Sequence, residues 1–138
     1  MVSQTTYLFD ETIEDNLRIA KPDATQEEIE AACRMASVHE FILSLPDGYK
    51  TRVGALGDNL SAGEKQRIGL ARAFLRGSEW ILLDEPTSNV DSINEGIILK
   101  ALQEQKRKKS ILLVSHREST MAIADRIYRV KDGRMAEI

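Results

Sequence analysis

Hydrophobic residues are spaced along this chain in two ways, and the change in spacing divides it into two parts. Up to residue 76 the apolar side chains recur at helical intervals, whereas residues 80–83 and 110–115 contain short, nearly continuous apolar runs. Such runs are typical of buried strands in a parallel sheet. The pattern predicts a mostly helical part followed by an α/β part.

Capping patterns locate the helices of the first part. Thr25 with Glu28, and Ser61 with Glu64, have the spacing of a capping box, in which each side chain satisfies a backbone N–H of the other residue. Gly77 is the stop signal for the helix that begins at Ser61. Helices are therefore predicted at residues 12–19, from residue 25 onward, at residues 39–45 and at residues 61–76.

The second part alternates strand and helix. A helix is predicted to begin at Asp91, between the two apolar runs, and this order predicts a parallel sheet. The side chains that this helix is expected to turn inward are Ile93, Ile97, Ile98 and Leu102. A helical turn at residues 121–124 then precedes a hairpin, which the pair Asp132-Gly133 predicts between residues 126–130 and 134–138.

Composition narrows the class of protein. The chain is 42% hydrophobic and 30% charged, which suits a soluble globular domain, and its net charge of −3 provides no global basic field for nucleic acid. Its longest apolar runs are far shorter than the roughly 20 residues that span a bilayer. Cys33, the single cysteine, lies on an apolar helical stripe and is predicted to be a buried thiol.

Two acidic residues follow the first apolar run. Asp84 and Glu85 lie at the carboxyl end of the predicted strand, where open parallel sheets bind their ligands. Adjacent carboxylates repel, and a Mg²⁺ ion would compensate for that repulsion. One acid would then serve the metal while the other orients a water molecule. The alternative is an ordinary strand end with solvated acids.

Two further positions have the chemistry of phosphate contacts. Ser61 and Gly63 lie at a helix start, where open backbone N–H groups and the helix dipole favour an anion, although a plain capping box would explain them equally. His116 follows the second apolar run, so we expect it at the same sheet edge as Glu85. There it would bind a phosphate or hold a water; the alternative is a structural or surface histidine.

In this order, these segments resemble the ATP-binding-cassette (ABC) ATPase family, and the resemblance covers essentially the whole chain. The matching segments are residues 60–66 for the signature motif, 81–86 for Walker B, 88–91 for the D-loop, His116 for the switch histidine, and Gln4 for the Q-loop glutamine, followed by residues 8–9 and 12–16. Residues 8–16 and 45–57 are similar to the exporter form.

The resemblance implies an α/β fold. It would be a truncated P-loop-type nucleotide-binding domain with a parallel sheet between helical layers, an inserted helical signature subdomain and a C-terminal β-hairpin. Residues 1–76 would hold the Q-loop and the signature subdomain. Residues 77–138 would hold the α/β core with Walker B, the D-loop and the switch histidine, within one truncated domain.

The resemblance also implies roles for the matching residues, with ATP and Mg²⁺ as cofactors. Asp84 would support Mg²⁺, Glu85 would polarise the attacking water, and His116 would contact the γ-phosphate. Gln4 would sense the metal and phosphate and couple to the membrane domain, and Asp91 would communicate across a dimer interface. The signature residues expected to face ATP held by the opposite subunit are Ser61, Ala62, Gly63 and Glu64.

Three features depart from the family pattern. Ala62 and Glu64 replace the usual glycine and glutamine of the signature motif, and Ala55 stands where exporters often have an acidic residue. The sequence also contains no Gly-Lys pair, so the phosphate-loop (Walker A) pattern is absent from it. We therefore expect a C-terminal fragment, from the Q-loop onward, that is inactive in isolation but part of an ATP hydrolase in its full-length parent.

The expected function is to couple ATP binding and hydrolysis to transmembrane export in that parent. The partners would be a second nucleotide-binding domain, in a homo- or heterodimer, and a transmembrane domain; no nucleic acid is expected. The fragment itself would be soluble, and the parent would hold it at the cytoplasmic face of the cell membrane.

Two alternatives remain open. The first is a DNA-repair or chromosome-maintenance ATPase, although residues 4–61 lack the heptads of its coiled coil and the basic run 106–109 is the only nucleic-acid signal. The second is a non-enzymatic module that presents the signature surface to a partner.

The family's sheet would place the phosphate-loop strand between residues 111–114 and residues 126–130. Without that strand, we expect the terminal hairpin to pair with residues 111–114, or a second copy of the chain to add a strand. A loosely held terminal segment is the less favoured outcome.

Overall fold

Among the described residues, the first part of the chain contains helices and the strands lie in the second part. The structure is a computed structural model and describes residues 1–3, 6–54, 57 and 59–138. The helices are α1 (Ile13–Arg18), α2 (Gln26–Met35), α3 (His39–Ser44), the 3₁₀ turn Gly48–Lys50, α4 (Ala62–Arg76), α5 (Ser92–Gln105) and α6 (Glu118–Met121). The strands are β1 (Trp80–Asp84), β2 (Ser110–Val114), β3 (Tyr128–Lys131) and β4 (Arg134–Glu137).

The predicted caps are confirmed. Thr25 and Glu28 form a reciprocal capping box at the start of α2, and Ser61 and Glu64 form another at the start of α4. Gly77 ends α4 with φ at 74°, a left-handed conformation that glycine adopts without steric cost. Side chains that satisfy the first backbone N–H groups therefore set the helix boundaries, as the sequence predicts.

Helix α4 is the element around which the first part packs. It contacts α1, α2 and α5. Its apolar face places Ile68, Ala71 and Phe74 in the core, together with Cys33, whose predicted burial is confirmed. The burial of these side chains accounts for the packing of the helices around α4.

A second face of α4 contacts Ser3 and the segment 6–9 through polar groups. Gln66 donates a hydrogen bond from Nε2 to the carbonyl of Ser3 (3.0 Å), and Arg72 donates one from Nη1 to the carbonyl of Tyr7 (2.7 Å). Gly69 lies between them on the same face, where a Cβ atom would come within 2.6 Å of Thr6 Oγ1. Ser3 and the segment 6–9 therefore lie against the surface of α4.

Asn16 fixes the end of this segment. Its Oδ1 accepts hydrogen bonds from the N–H of Phe9 (2.8 Å) and from Arg72 Nη2 (2.9 Å), and its Nδ2 donates to the carbonyls of Phe9 and Thr12. The side chain is fully buried, so each of these bonds is shielded from water. Asn16 thus joins α1, α4 and the segment at Phe9.

The strands β1 and β2 pair in parallel, as predicted, with Trp80 opposite Ser110. On the other side of β1, Val2 forms a parallel bridge to Leu83. The N–H of Val2 donates to the carbonyl of Leu82, and the carbonyl of Val2 accepts from the N–H of Asp84, each at 2.9 Å. The chain start is therefore part of the sheet edge next to β1.

The prediction that residues 80–83 form a fully buried strand is wrong for one face of β1. One face of β1, with Ile81 and Leu83, joins the core, but Trp80 on the other face is 70% exposed. Leu112 and Val114 of β2 are exposed on that same face. Among the described residues, helices cover a single face of this sheet. The apolar runs therefore show that both faces of the strands carry hydrophobic side chains, but not that both faces are covered.

One inward residue of α5 is also corrected. Ile98 and Leu102 are buried as predicted and Ile97 is half-buried, but Ile93 is 74% exposed. At 3.6 residues per turn, Ile93 lies roughly 140° around the helix from Ile98. It therefore falls outside the stripe that faces the core.

The terminal hairpin forms as predicted but does not close onto β2. Strands β3 and β4 pair with each other, and among the described residues β2 pairs with β1 alone, so the expected pairing of the hairpin with β2 is wrong. Lys106 Nζ, at the end of α5, binds the segment just before the hairpin. It donates hydrogen bonds to the carbonyl of Ile123 (3.1 Å) and to the carboxylate of Asp125 (2.9 Å). This anchor fixes the base of the hairpin away from β2, while its strands satisfy each other's backbone groups.

The helical turn before the hairpin is also displaced from its predicted position. It runs over Glu118–Met121, directly after His116 and Arg117, whereas the sequence predicted residues 121–124. The addition of a strand by a second copy of the chain stays a prediction.

The stability of α1 depends on one buried carboxylate. Glu14 is 6% exposed and accepts hydrogen bonds from Arg18 Nη2 (2.9 Å) and from Lys50 Nζ. These cations, Lys50 first, hold the pKa of the Glu14 carboxyl below its ordinary value. A lowered pKa stabilises the fold above the ordinary glutamate range, and this contribution disappears as the pH falls through the lowered pKa.

Replacement of this carboxylate by an amide should therefore have a pH-dependent cost. In urea unfolding at pH 7, Glu14→Gln should lower the free energy of unfolding by about 1–3 kcal/mol, because two cations lose a charged acceptor. The difference from the unmodified chain should shrink as the pH falls below the glutamate range. Glu27→Gln, at an exposed position in the first turn of α2, is the control and should show little effect. A difference that stays constant with pH would contradict this account.

Close packing at Gly63 joins α4 to α5. A Cβ atom at Gly63 would lie 2.3 Å from Asn94 Cγ and 2.6 Å from Asn94 Cβ, whereas one at Gly96 on α5 would meet no atom within 4 Å. Both glycines are helical. The two positions therefore separate the effect of close packing from the intrinsic helix preference of alanine.

Alanine should have opposite effects at these two positions. We expect Gly63→Ala to destabilise the chain by about 1–3 kcal/mol through overpacking against Asn94. Gly96→Ala should stabilise it by about 0.5–1 kcal/mol, because alanine loses less conformational freedom in a helix. Urea unfolding measures both changes, and equal changes at both positions would show that Asn94 does not constrain Gly63.

Candidate functional site

The carboxyl ends of β1 and β2 lie side by side. Asp84 pairs with Val114 in the parallel register, and the next residue, Glu85, donates its N–H to the carbonyl of Val114 (2.8 Å). The chain therefore leaves both strands at one edge of the sheet. This geometry confirms the expectation that Glu85 and His116 meet at that edge.

Glu85 and His116 are in direct contact. Glu85 Oε1 lies 2.7 Å from Nδ1 of His116, while Glu85 Oε2 is buried and has no hydrogen-bond partner among the described residues. The Glu85 side chain is 14% exposed and that of His116 is 80% exposed. The pair thus joins a sheltered carboxylate, with one unpaired oxygen, to an imidazole that faces solvent.

The backbone at Glu85 is in a conformation that this residue type rarely adopts. Its φ angle is 48°, in the left-handed region where a residue with a Cβ atom is strained. The turn that follows is closed by a hydrogen bond from the N–H of Ser88 to the carbonyl of Glu85 (3.3 Å). This strained turn directs the Glu85 side chain toward the end of β2.

Asp91 begins α5 and is exposed. Its Oδ1 accepts a hydrogen bond from Asn94 Nδ2 (2.5 Å), and this bond holds the pKa of the Asp91 carboxyl below its ordinary value. Because Asn94 also packs against Gly63, the expected D-loop residue Asp91 and the expected signature turn at residues 61–63 share one neighbour. The described contacts therefore bring these residues together in two groups, Glu85 with His116 and Gly63 with Asp91.

The start of α4 contains the capping box that was the plain alternative for this segment. Ser61 Oγ accepts from the N–H of Glu64 (3.2 Å), and Glu64 Oε2 accepts from the N–H of Ser61 (3.0 Å). The Ser61 hydroxyl still has its own proton to donate. The N–H groups of Ala62 and Gly63, in the first turn, have no intrahelical acceptor by geometry.

This arrangement still has the elements of an anion site, although Glu64 places a carboxylate within it. Ser61 and Ala62 are exposed and Gly63 is buried. An incoming phosphate would therefore meet one hydroxyl and two backbone N–H groups, at the favourable end of the helix dipole.

The residues at the sheet edge fit a Mg²⁺ ion. Asp84 is half-buried at the end of β1, and the buried Glu85 Oε2 lacks a hydrogen-bond partner among the described residues. No group of three or more His, Cys, Asp or Glu side chains that could hold a metal occurs in the part of the chain that the structure describes. Mg²⁺ needs only one or two carboxylates beside water and substrate phosphates. Gln4, the other expected metal contact, lies outside the described residues, as does Ala55.

An exposed apolar patch includes side chains of the segment that α4 holds. The rings of Tyr7 and Phe9 are 4.7 Å apart in an edge-to-face arrangement, and both are exposed, as is Ile19 at the end of α1. Phe9 and Ile19 line a shallow concavity whose other walls are acidic: Asp10, Glu11 and Asp15. An apolar patch with a charged rim is typical of a protein contact surface.

Sequence reasoning missed an ion pair next to the site. Arg117, directly after His116, lies with Nη1 2.8 Å from Oε2 of Glu95 on α5. No local pattern signals it, because the two residues are far apart in sequence and are brought together by the parallel pairing of β1 and β2.

No helix within the described ranges is long and apolar enough to cross a membrane.

Comparison with known proteins identifies relatives of this chain. The family model described as "ABC transporter" matches residues 1–88. A probable ABC transporter ATP-binding/permease protein of Haemophilus influenzae is 60% identical over 135 residues, and a putative multidrug export ATP-binding/permease protein of Bacillus subtilis is 47% identical over 138 residues. The chain is almost entirely covered in both matches, at 98% and 100%, but it spans only 24% of each relative.

A solved structure shows the same fold. The structure of a bacterial Atm1-family ABC exporter with ATP bound superposes with a TM-score of 0.87 at 37% identity, and the match covers 99% of this chain and 24% of that one. These matches favour an exporter over a DNA-repair ATPase. The chain belongs to the ABC transporter family and corresponds to part of the nucleotide-binding domain of the exporter-type proteins that it matches.

Proposed function

We propose that this chain supplies the water-activating residues and the signature surface of an ATP-hydrolysing exporter. The observation that carries the proposal is the contact of 2.7 Å between Glu85 and His116 at the carboxyl edge of a parallel sheet. The phosphate-loop pattern is not in this sequence, so the cradle for the β- and γ-phosphates would come from elsewhere in the parent protein.

In this proposal, Glu85 is the residue that orients the attacking water. Its buried Oε2, which has no hydrogen-bond partner among the described residues, would accept a hydrogen bond from that water, while Oε1 is held by His116. As the water oxygen bonds to the γ-phosphorus, the bond from that phosphorus to the bridging oxygen breaks, and the water proton passes toward the carboxylate. His116, which is exposed, would face a γ-phosphate oxygen.

The second acid at this edge, Asp84, would hold Mg²⁺, so that one carboxylate serves the metal and the other orients the water. When bound, Mg²⁺ neutralises charge on the phosphate oxygens. Asp84 continues the strand direction and Glu85 begins the strained turn, so the two side chains leave the edge in different directions.

The start of α4 is the proposed contact with ATP in trans. Ser61 would donate its hydroxyl proton to a phosphate oxygen, and the N–H groups of Ala62 and Gly63 would complete the contact. Glu64 already accepts the N–H of Ser61, which leaves one donor fewer for the phosphate. Asp91 would cross the interface beside this surface, so the proposed partner is a second nucleotide-binding domain.

The exposed patch at Tyr7, Phe9 and Ile19 is the proposed contact with a transmembrane domain. Relatives of this chain are named ATP-binding/permease proteins, which motivates such a partner. Arg72 and Asn16 fix the patch to α4, so movement of the patch would be transmitted to the signature turn. The chain would then act at the cytoplasmic face of a membrane, beside the permease part of its parent.

The isolated chain of 138 residues should not hydrolyse ATP. The reason is the lack of a phosphate-loop lysine and cradle in its sequence. Phosphate release from the purified chain with Mg-ATP measures this, and Glu85→Gln identifies any contaminating activity, which the substitution would not alter. Turnover that disappears in Glu85→Gln would prove this prediction wrong.

A chimera tests the proposal in a complete transporter. In it, this chain replaces the 135 matching residues of the Haemophilus influenzae relative, which supplies the remainder of the ATP-binding domain and the permease part. Glu85→Gln in the chimera should lower kcat by roughly 10²–10³-fold and leave ATP binding intact, because the amide keeps the shape but cannot accept the proton.

His116→Ala should also lower turnover in the chimera, by about 10-fold or more, since the imidazole holds Glu85. His39→Ala, in the helical part, is the control for loss of a histidine. It should affect stability, because His39 is hydrogen-bonded to Tyr49, but not turnover per folded molecule.

Normal turnover of the chimera with Glu85→Gln would exclude the proposed role of Glu85.

A further inference from the structure

Arg117 joins three segments that surround the site. Its Nη1 donates a hydrogen bond to the carbonyl of Thr87 (2.6 Å) and lies 2.8 Å from Oε2 of Glu95. Thr87 belongs to the turn after Glu85, Glu95 belongs to α5, and Arg117 itself follows His116. One guanidinium therefore connects the end of β2, the turn after β1 and the helix that follows the turn.

The two contacts of Arg117 differ in kind. The Thr87 carbonyl accepts the hydrogen bond, and Thr87 is 1% exposed, so the acceptor is fixed in the interior. Glu95 Oε2 provides an opposite charge at close range and accepts no hydrogen bond from the described residues. The Glu95 side chain is 12% exposed and that of Arg117 is 36% exposed, so water screens this pair less than an ion pair on the open surface.

His116 needs such support because packing does not fix it. Its side chain is 80% exposed and contacts Glu85. The backbone after it is held by the N–H of Arg117, which donates to Ser115 Oγ (3.1 Å), and by the Arg117 guanidinium. Arg117 also holds the carbonyl of Thr87, which lies two residues after Glu85 in the chain.

We propose that Arg117, with Glu95 as its charge partner, is a positioning residue that sets the separation of Glu85 and His116. The inference rests on the proposed function for its catalytic consequence. Arg117 touches neither the water nor the phosphate in this account; it acts by holding the two segments that carry the catalytic pair. A lysine would keep the charge but not the planar fork, so it should replace arginine only in part.

The chimera provides the kinetic test. Arg117→Ala should lower kcat roughly 10- to 100-fold while KM for ATP changes by less than about twofold, because misplaced catalytic groups slow chemistry without removing ground-state binding. Arg117→Lys should recover part of kcat. Glu95→Gln should lower kcat in the same direction, and the double variant should lose less than the product of the two single losses.

Arg129→Ala removes an exposed arginine on β3 and is the matched control. If kcat in Arg117→Ala stays within about twofold of the unmodified chimera, or if lysine and alanine give the same loss, the proposal is overturned. Should Arg117→Ala fail to fold, Glu95→Gln decides alone: a lowered kcat at constant KM supports the proposal, and an unchanged kcat overturns it.

A second measurement on the 138-residue chain does not depend on ATPase activity. In amide nuclear magnetic resonance spectra, Glu95→Gln should shift the signals of Glu85 and His116, whereas Arg129→Ala should leave them in place. Unchanged Glu85 and His116 signals in Glu95→Gln would overturn the positioning claim. If these signals shift but the chimera lacks Glu85-dependent turnover, the proposed function fails while the positioning contact stands.

Discussion

The hydrogen bonds between α4 and the segment before α1 are the constraint on which the rest of the structure depends. Gln66 and Arg72 hold the carbonyls of Ser3 and Tyr7, and the bonds of Asn16 continue this connection to Phe9. Val2, just before this segment, bridges to β1. One helix thereby sets the position of the sheet edge, the exposed aromatic patch and the signature turn at its own start.

The sheet contributes the second constraint, because parallel pairing places the ends of β1 and β2 together. Glu85 and His116 are far apart in sequence, and the register of Asp84 opposite Val114 brings them into contact. The strained backbone at Glu85 then turns its carboxylate toward His116. Strain of this kind persists only where surrounding contacts enforce it, and the bond from Arg117 to Thr87 is one such contact.

Local features of this fold follow from the sequence, whereas non-local ones do not. The caps at Thr25 and Ser61 and the turn at Asp132-Gly133 depend on neighbouring residues, so their patterns predict them correctly. The exposure of Trp80 and the position of the hairpin depend on which surfaces meet, and an apolar run does not specify that. The pairing of Arg117 with Glu95 was missed for the same reason, while the contact of Glu85 with His116 was predictable from their places at strand ends.

The central claim is that the start of α4 and the Glu85–His116 edge serve two different ATP molecules in a dimer. The most direct measurement is a cryo-electron microscopy structure of the chimera carrying Glu85→Gln with Mg-ATP. The account predicts ATP between two nucleotide-binding domains, with His116 of one domain near one γ-phosphate, and with Ser61 and Gly63 of that same domain at the other ATP. A structure in which Ser61 and Gly63 face solvent, away from both nucleotides, would contradict it.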